Sequence, residues 1–273
     1  MVTRRRLDAE LVRRGLARSR DQAAGLVNAG LVTVAGRTAA KPATQVAAGE
    51  PIVVAEQAAG PAYASRGGHK LAGALASFAA DGLSVAGRRC LDAGASTGGF
   101  TDVLLQAGAA HVVAADVGYG QLAWRLRTDD RVTVADRVNV RSLTPEQAGT
   151  PADVVTADLS FISLTLVLPA LAACARPDAD FVLLVKPQFE VGKGRVGAGG
   201  VVRDPALRSG AVTGVAAAAA RLGLGVAGLA ESPLPGPAGN VEYFLWLRRG
   251  SPPLDRDLVR QVTGEQRPAG AGA

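Results

Sequence analysis

One glycine-rich stretch constrains the fold of this chain more than any other feature. Residues 91–102 read LDAGASTGGFTD, which predicts an apolar strand ending at Asp92, a turn of small residues and the start of a helix. Ser96 or Thr97 is expected to cap that helix, because a hydroxyl oxygen can accept hydrogen bonds from its first N–H groups. The predicted helix carries one apolar face: Phe100, Val103, Leu104 and Leu105. The stretch is therefore typical of a strand–loop–helix nucleotide site.

The loop in this stretch differs from the fingerprint that binds dinucleotides. That fingerprint places glycines at its first, third and sixth positions, whereas this loop has the order Asp-x-Gly-x-Ser-x-Gly-Gly. A leading carboxylate suits a cationic, amine-bearing ligand better than a diphosphate. The next strand, 111–115, ends at Asp116, whose side chain can accept hydrogen bonds from a ribose. Loop and acids together predict a site for S-adenosylmethionine, whereas the loop alone is equally compatible with a plain turn.

The positive charge of the chain is concentrated near its amino terminus. The net charge is +6, and residues 1–60 hold nine Lys or Arg against five Asp or Glu. Such asymmetry is typical of nucleic-acid binding and, less often, of contact with an acidic membrane surface. A solvated charged face is the alternative without a binding function.

Composition disfavours several other classes of protein. Cys90 and Cys174 each stand among apolar residues, which predicts buried thiols in a reducing cytosol. Two histidines and the lack of a Cys-x-x-Cys motif disfavour a metal site. The chain does not begin with a secretory leader, and its most apolar window, 211–230, contains Arg221 and few bulky side chains. We therefore expect a cytoplasmic protein without a metal or a membrane span, and the sequence indicates no obligate protein partner.

The amino-terminal residues predict a small α+β domain. Leu7 and Leu11 repeat at helical spacing, Ser19 can cap a second helix, and Gly30 can end it. Two strands follow, at 31–34 and 51–54, with a turn at 35–37. This pattern, with its Gly-x-Val-x-Val-x-Gly run, resembles the S4 domain, a small RNA-binding module named after a ribosomal protein. The resemblance implies that a set of arginines lies near RNA phosphates: Arg4, Arg5, Arg18 and Arg20.

The rest of the chain predicts a larger second domain. From residue 88 onward, predicted strands and helices alternate, which favours a doubly wound, Rossmann-like α/β fold with a largely parallel sheet. Ligands of such folds collect at the carboxyl ends of the strands. We expect a chain of four segments: an RNA-binding domain at 4–57, a linker at 58–65, the α/β domain at 66–249 and a tail at 250–273 whose last residues are disordered.

Ionisable residues follow two apolar strands of this second domain. Asp158 comes directly after the strand at 152–157, and Lys186 comes directly after the strand at 180–185. Glu242 stands at the start of the last strand, and Lys70 opens a helix upstream of the first. Two lysines and two carboxylates are thus expected to surround one pocket, although each alone is also compatible with an ordinary surface ion pair.

A combination of short motifs extends across the chain: SRGGHKL at 65–71, DAGASTGGFTD at 92–102, DVGYGQL at 116–122, NVR at 139–141, DLSFIS at 158–163, KPQFE at 186–190, GGVVRDP at 199–205 and NVEY at 240–243. This combination resembles the TlyA family of ribosomal RNA cytidine 2′-O-methyltransferases, also named haemolysin A. The resemblance covers residues 4 to about 248 and implies an S-adenosylmethionine-dependent enzyme acting on 16S RNA, 23S RNA or both, within ribosomal subunits or ribosomes. It also implies a catalytic tetrad shared with FtsJ-type methyltransferases: Lys70, Asp158, Lys186 and Glu242.

The same resemblance suggests where cofactor and RNA would lie. Asp92 and Gly94 would lie by the methionine portion, Asp116 by the ribose and Asp136 near the adenine. The full set of expected cofactor residues is Asp92, Gly94, Ser96, Thr97, Gly98, Gly99, Phe100, Asp116, Asp136 and Asp158. The loop at 191–203 contains five glycines and three cations and is expected to fold over RNA, unless it is only a mobile surface loop. Further expected RNA contacts are Arg66, Lys193 and Arg195.

The tetrad suits ribose methylation, because a 2′-hydroxyl must lose its proton as it attacks a methyl group. Lys186 is the candidate base: a second lysine nearby favours its neutral form, while the two carboxylates hold its ammonium in place. Lys70 is the candidate for stabilising the developing alkoxide.

Three other functions remain open at this point. The older family name suggests a pore-forming haemolysin, which the missing leader and membrane spans disfavour. An inactive ribosomal RNA-binding protein would bind the cofactor without transferring a methyl group. A base methyltransferase is disfavoured because neither cysteine is suitably placed and the segment after Asp158 is not the Asn/Asp-Pro-Pro-aromatic motif of nitrogen-directed enzymes.

Overall fold

The computed structural model describes residues 4–17, 19–28, 30–54 and 63–266. The chain divides into two compact units, residues 1–62 and residues 63–273. Each unit has its own apolar core, as the predicted two-domain organisation requires.

The first unit is a small α+β domain. Ser19 Oγ accepts a hydrogen bond from the N–H of Gln22 at 3.1 Å, so this residue caps the second helix. Gly30, with φ +72°, turns the chain away from that helix into the next strand. The core contains Leu7, Leu11, Ala23, Val27, Val32 and Val46. Its elements are β1 (Arg4–Arg6), α1 (Leu7–Arg13), α2 (Arg20–Asn28), β2 (Val32–Val34), β3 (Arg37–Thr38), β4 (Gln45–Ala47) and β5 (Ile52–Val54).

Small antiparallel sheets complete this unit. The strand β2 lies between β3 and β5, and β1 pairs separately with β4. The predicted strands at 31–34 and 51–54 correspond to β2 and β5. The pairing of β1 with β4 is additional to the prediction.

The second unit is built around a seven-stranded sheet with the order β11-β12-β10-β9-β6-β7-β8. All its neighbouring strands are parallel except β12, which is antiparallel to both β10 and β11. The predicted doubly wound α/β fold is therefore confirmed. The strands are β6 (Arg89–Ala93), β7 (His111–Asp116), β8 (Val132–Asp136), β9 (Ala152–Ala157), β10 (Ala175–Val185), β11 (Leu224–Glu231) and β12 (Tyr243–Arg249).

Helices cover both faces of this sheet. One apolar cluster lies against α3 and α4, and the other lies against α7, α9 and α10. The helices are α3 (Gly67–Phe78), α4 (Gly99–Gln106), α5 (Trp124–Arg127), α6 (Pro145–Ala148), α7 (Leu164–Ala173), α8 (Pro187–Glu190), α9 (Pro205–Ala220) and α10 (Arg256–Thr263). No helix within the described part of the chain is long and apolar enough to cross a membrane.

The order of the strands fixes where a ligand can bind. The chain passes from β6 outward to β7 and β8, and then returns to β9 and β10 on the other side of β6. Such a reversal opens a crevice at the carboxyl ends of the two central strands, which here are β6 and β9. The glycine-rich loop follows β6, and Asp158 follows β9.

Two predicted segment boundaries differ from the structure. The tail contains α10, whose Val259 is buried against the main core because Asp255 caps a helix with an apolar face. The predicted linker extends over Tyr63–Ser65, yet the N–H of Ala64 donates to Asp102 Oδ2 at 2.7 Å within the second unit. Residues 58–62 and 267–273 lie outside the described residues.

Candidate active site

The glycine-rich loop packs tightly against the segment that follows β9. Gly94 and Gly98 have φ values of +87° and +96°, in the left-handed region that favours glycine. A Cβ atom on Gly94 would lie 2.6 Å from the carbonyl oxygen of Asp158. Glycine at this position therefore allows the two strand-end segments to touch.

The predicted cap of α4 is wrong. The N-cap residue is Gly98, and no side chain caps this helix. Ser96 instead adopts a φ of +48°, and its backbone N–H donates to Asp116 Oδ2 at 2.9 Å. The loop is thus held by an acid on the next strand rather than by Ser96 or Thr97.

The first turn of α4 is covered by protein. A Cβ atom on Gly99 would lie 2.9 Å from the backbone nitrogen of Gly68. Phe100 is 3% exposed and contacts Phe244, with 6.0 Å between the ring centroids. The structure therefore places Gly99 and Phe100 in packing contacts rather than on the open side of the loop.

Asp92 lies beneath the loop and is fully buried. Thr101 Oγ1 donates to its Oδ2 at 2.7 Å, and Thr156 Oγ1 donates to its Oδ1 at 3.3 Å. Burial, together with the nearby charge of Asp158, raises the pKa of this carboxyl from 3.8 to about 7. Through these two hydrogen bonds, Asp92 connects β6 to α4 and to β9 on the buried side of the loop.

Two further predicted acids stand at the ends of β7 and β8. Asp116 accepts hydrogen bonds from the N–H groups of Ser96 and Gly118, the latter at 2.7 Å, and is partly exposed. Asp136 pairs with Arg127 at 2.7 Å and accepts from the N–H of Gly120 at 3.2 Å. Both carboxylates therefore shape loops, and each keeps oxygen lone pairs that could accept from a ligand.

Lys186 and Asp158 form the first of two lysine–carboxylate pairs. Lys186 Nζ lies 2.5 Å from Asp158 Oδ1 and 3.1 Å from Ser160 Oγ. Asp158 Oδ1 accepts no well-aligned hydrogen bond from the described residues, so the attraction to Lys186 is mainly between charges. The side chains are 10% and 22% exposed, respectively. The pair thus lies at the edge of the crevice.

Lys70 and Glu242 form the second pair, which is more deeply buried. Lys70 Nζ lies 2.5 Å from Glu242 Oε2, and the side chains are 5% and 1% exposed. Gln188 Nε2 donates to Glu242 Oε1 at 3.4 Å. A Cβ atom on Gly236 would lie 2.5 Å from that same oxygen. Both carboxylate oxygens of Glu242 are therefore in contact with other protein groups.

The amino end of α3 brings the two pairs together. A Cβ atom on Gly67 would lie 3.7 Å from Asp158 Oδ2. Lys70 follows three residues later on the same face of this helix, since positions i and i+3 are neighbours on a helix surface. The four predicted tetrad residues therefore meet at one end of the sheet as two charge-balanced pairs.

The cations predicted to contact RNA have different surroundings. Arg4 and Arg5 are exposed on β1, and Arg20 lies 3.1 Å from the carboxylate of Asp8 while remaining 60% exposed. In the second unit, Arg66 donates to the carbonyl oxygen of Pro235 and Arg195 donates to that of Val191. Two predicted contacts lie outside the described part: Arg18 and the side chain of Lys193.

Several residues that contact the tetrad, or that hold segments beside it, were not predicted from the sequence. Ser160 and Gln188 lie within the quoted motifs, but nothing in their spacing indicated which tetrad member each would contact. The others are glycine or asparagine residues whose role depends on packing between distant segments: Gly67, Gly236 and Asn240.

This fold and site define a methyltransferase of the FtsJ-like class. The family model for FtsJ-like methyltransferases matches residues 63–249, and the model for the S4 domain matches residues 5–52.

Individual relatives identify the particular family. The chain is 64% identical over 248 residues to the 16S/23S rRNA (cytidine-2′-O)-methyltransferase TlyA of Mycobacterium tuberculosis, covering 91% of each chain. It is 36% identical to Hemolysin A of Brachyspira hyodysenteriae over 88% of this chain and 98% of that one. A solved structure of a protein assigned as a hemolysin from Streptococcus thermophilus has a TM-score of 0.75 at 39% identity, covering 97% of this chain and 96% of that chain. The chain therefore belongs to the TlyA family, as the motifs predicted.

Proposed function

We propose that this protein transfers a methyl group from S-adenosylmethionine to the ribose 2′-oxygen of a cytidine in ribosomal RNA. The observation that carries the proposal is the pair of lysine–carboxylate contacts, Lys186 with Asp158 and Lys70 with Glu242, at the carboxyl ends of the strands. The relative from Mycobacterium tuberculosis is a 16S/23S rRNA (cytidine-2′-O)-methyltransferase, which supports the choice of cytidine and of ribosomal RNA. We propose that the substrate is the RNA within ribosomal subunits or ribosomes, in the cytoplasm.

The residues beside the glycine-rich loop fit this cofactor better than a dinucleotide. The first turn of α4 packs against residues 65–68 at Gly99, which leaves little room for a pyrophosphate on that side of the helix. Asp116 offers a partly exposed carboxylate for ribose hydroxyls, and Val117, directly after it, is 74% exposed and offers an apolar surface for a purine ring. Gly94, Ser96 and Asp136 complete the proposed site, while Asp92 supports the loop from below.

Lys186 is the proposed base. When bound, the cofactor supplies a methyl group made electrophilic by the adjacent sulfonium. The 2′-hydroxyl proton passes to Lys186 Nζ, which must be neutral when the oxygen attacks. Asp158, 2.5 Å away, then stabilises the resulting ammonium ion. The ion pair described above corresponds to this protonated state.

Lys70 is proposed to act through its fixed positive charge. Its ammonium is buried and neutralised by Glu242, so it can remain charged without contact with water. A fixed charge near the developing alkoxide lowers the barrier because it needs no reorganisation during the reaction. Ser160, which accepts a hydrogen bond from Lys186, holds that lysine in place.

The S4 domain is proposed to supply affinity for structured RNA. Arg4 and Arg5 are exposed, and contacts from such cations to phosphates position a protein without reading base sequence. Arg66 and the cations of residues 191–203 are proposed to contact RNA nearer the target ribose.

The test is methyl transfer with wild-type protein and with a Lys186→Ala variant. Purified ribosomal subunits and intact ribosomes are incubated with methyl-labelled S-adenosylmethionine, and their RNA is digested to nucleosides. We expect labelled 2′-O-methylcytidine with the wild type and a loss of about 10²–10⁴-fold in rate with the variant. Arg176→Ala is the matched control, because Arg176 pairs only with Asp153 and Asp178 among the described residues. Binding of S-adenosylmethionine to each variant checks that the fold is intact.

The other outcomes separate the alternatives. Label on a nucleobase would contradict the roles given to the tetrad. Cofactor binding without methyl transfer, on particles of varied maturity, would favour an RNA-binding protein. Lysis of erythrocytes by Lys186→Ala would favour the haemolysin function.

A further inference from the structure

Asn240 stands two residues before Glu242 and is 1% exposed. Its side-chain amide makes both of its hydrogen bonds to the backbone of one loop. Asn240 Oδ1 accepts from the N–H of Val202 at 2.9 Å, and Asn240 Nδ2 donates to the carbonyl oxygen of Gly200 at 2.8 Å. Both distances are those of good hydrogen bonds. Because this amide is buried and both of its polar atoms bond to the loop, it holds the loop to the segment that leads into β12.

The backbone of Asn240 holds a second segment. Its carbonyl oxygen accepts from the N–H of Gly236 at 2.8 Å. Gly236 is the residue whose Cβ would lie 2.5 Å from Glu242 Oε1. Asn240 therefore joins the turn that covers Glu242 to the loop around Gly200.

The loop held by Asn240 has a defined internal structure. The N–H of Gly200 donates to the carbonyl oxygen of Gly197 at 3.1 Å, and a Cβ on Gly197 would lie 2.7 Å from the carbonyl oxygen of Val201. Arg203 donates to the carbonyl oxygen of Ala198 at 3.3 Å. Arg203 in this loop and Arg195, two residues before it, are both exposed, so this region presents positive charge to solvent.

We propose that Asn240 is a positioning residue that fixes the loop 197–203 beside Glu242, so that the cations of residues 191–203 contact the substrate's phosphates in a preformed arrangement. This inference rests on the proposed function, because the phosphates are those of the RNA substrate. Fixing the loop before binding removes an ordering cost from association. Loss of the amide should therefore weaken RNA binding while leaving cofactor binding and the methyl-transfer step largely intact.

The first test compares wild type with Asn240→Ala. Trypsin cleaves after lysine and arginine, and a released loop exposes such bonds more often. We expect cleavage within residues 193–203 to become about tenfold faster, KM for ribosomal particles to rise about tenfold, and kcat and the Kd for S-adenosylmethionine to change by less than about threefold. Because cleavage and cofactor binding need no catalysis, they test the loop even if wild-type protein methylates no ribosomal RNA.

The second test disturbs the loop without touching Asn240. Gly197→Ala requires the loop to shift, since its Cβ would meet the carbonyl oxygen of Val201, although its φ of −72° suits alanine. Gly214→Ala is the matched control, because Gly214 lies on α9 and its Cβ would point into open space. We expect Gly197→Ala to reproduce the Asn240→Ala result, and this variant carries the test if Asn240→Ala does not fold. Unchanged trypsin cleavage in Gly197→Ala or in folded Asn240→Ala would overturn the proposal, as would a fall in kcat with unchanged KM.

Discussion

Replacing Asp92 by asparagine tests the physical state of the acid beneath the glycine-rich loop. The folded pKa of about 7 exceeds the ordinary value of 3.8. A raised pKa means that the stabilising contribution is complete below pH 3.8 and is lost as the pH rises through about 7. At 1.36 kcal/mol per pKa unit, the full loss is about 4 kcal/mol, and the part between pH 5 and 8 is about 3 kcal/mol.

Asparagine fits the same contacts without this loss. Its oxygen can accept from Thr101, and its amide nitrogen can donate to Thr156 Oγ1, which can still donate to the carbonyl oxygen of Leu91. We therefore expect the unfolding free energy of Asp92→Asn, minus that of wild type, to increase by about 3 kcal/mol between pH 5 and pH 8. Other groups that titrate in this range are present in both proteins and cancel in the difference.

Urea unfolding followed by tryptophan fluorescence measures this difference. Both tryptophans, Trp124 and Trp246, belong to the second unit, so the signal reports the unit that contains Asp92. Asp178→Asn is the matched control: its side chain is 77% exposed, and it should follow the wild-type pH dependence. A difference between Asp92→Asn and wild type that stays constant from pH 5 to pH 8 would refute the reasoning.

Two further perturbations test the site. Removing one partner of the buried Lys70–Glu242 pair, in Lys70→Met or Glu242→Gln, should lower the unfolding free energy by about 3–5 kcal/mol. The double variant should recover part of that loss. If the two losses measured by urea unfolding were additive in the double variant, a direct pairing would be contradicted. Gly94→Ala should abolish measurable cofactor binding in calorimetry, because its Cβ would lie 2.6 Å from a backbone oxygen. Gly82→Ala is the control: it shares a left-handed φ but faces open space, so it should only lower stability.

The strands of the second unit could be predicted closely because their sequence signals are local. The predicted segments 111–116 and 152–157 coincide with β7 and β9, each an apolar run ended by polar or glycine residues. The strand β1 could not be found in this way: it consists of three arginines without alternation, and its pairing with β4 joins segments about 40 residues apart. The helix α10 had a usable signal in its capping Asp255, but its position after two prolines favoured a tail.

The proximity of the four candidate residues could be predicted from the sequence, but their pairing could not. The resemblance implied that Lys70, Asp158, Lys186 and Glu242 lie together, whereas nothing in the sequence indicated that Lys70 contacts Glu242 and Lys186 contacts Asp158. Their pairing depends on where α3 crosses the ends of the strands, and this is set by packing between distant segments. The same limit explains why Asp92, expected at the ligand surface, is buried: two threonines from α4 and β9 enclose it.

The unequal burial of the two pairs supports a division of labour between the two lysines. A base must exchange its proton during every cycle, and Asp158, at 22% exposure, gives the Lys186 pair a route to solvent. Lys70 and Glu242, at 5% and 1%, have no comparable route, and moving a proton within a buried pair would leave polar groups without their charge-assisted contact. Lys70 is therefore suited to stay positively charged throughout the reaction, and Lys186 is suited to gain and lose a proton. If the roles were reversed, the more enclosed pair would have to release a proton on each turnover, and the more exposed pair would provide a charge weakened by water.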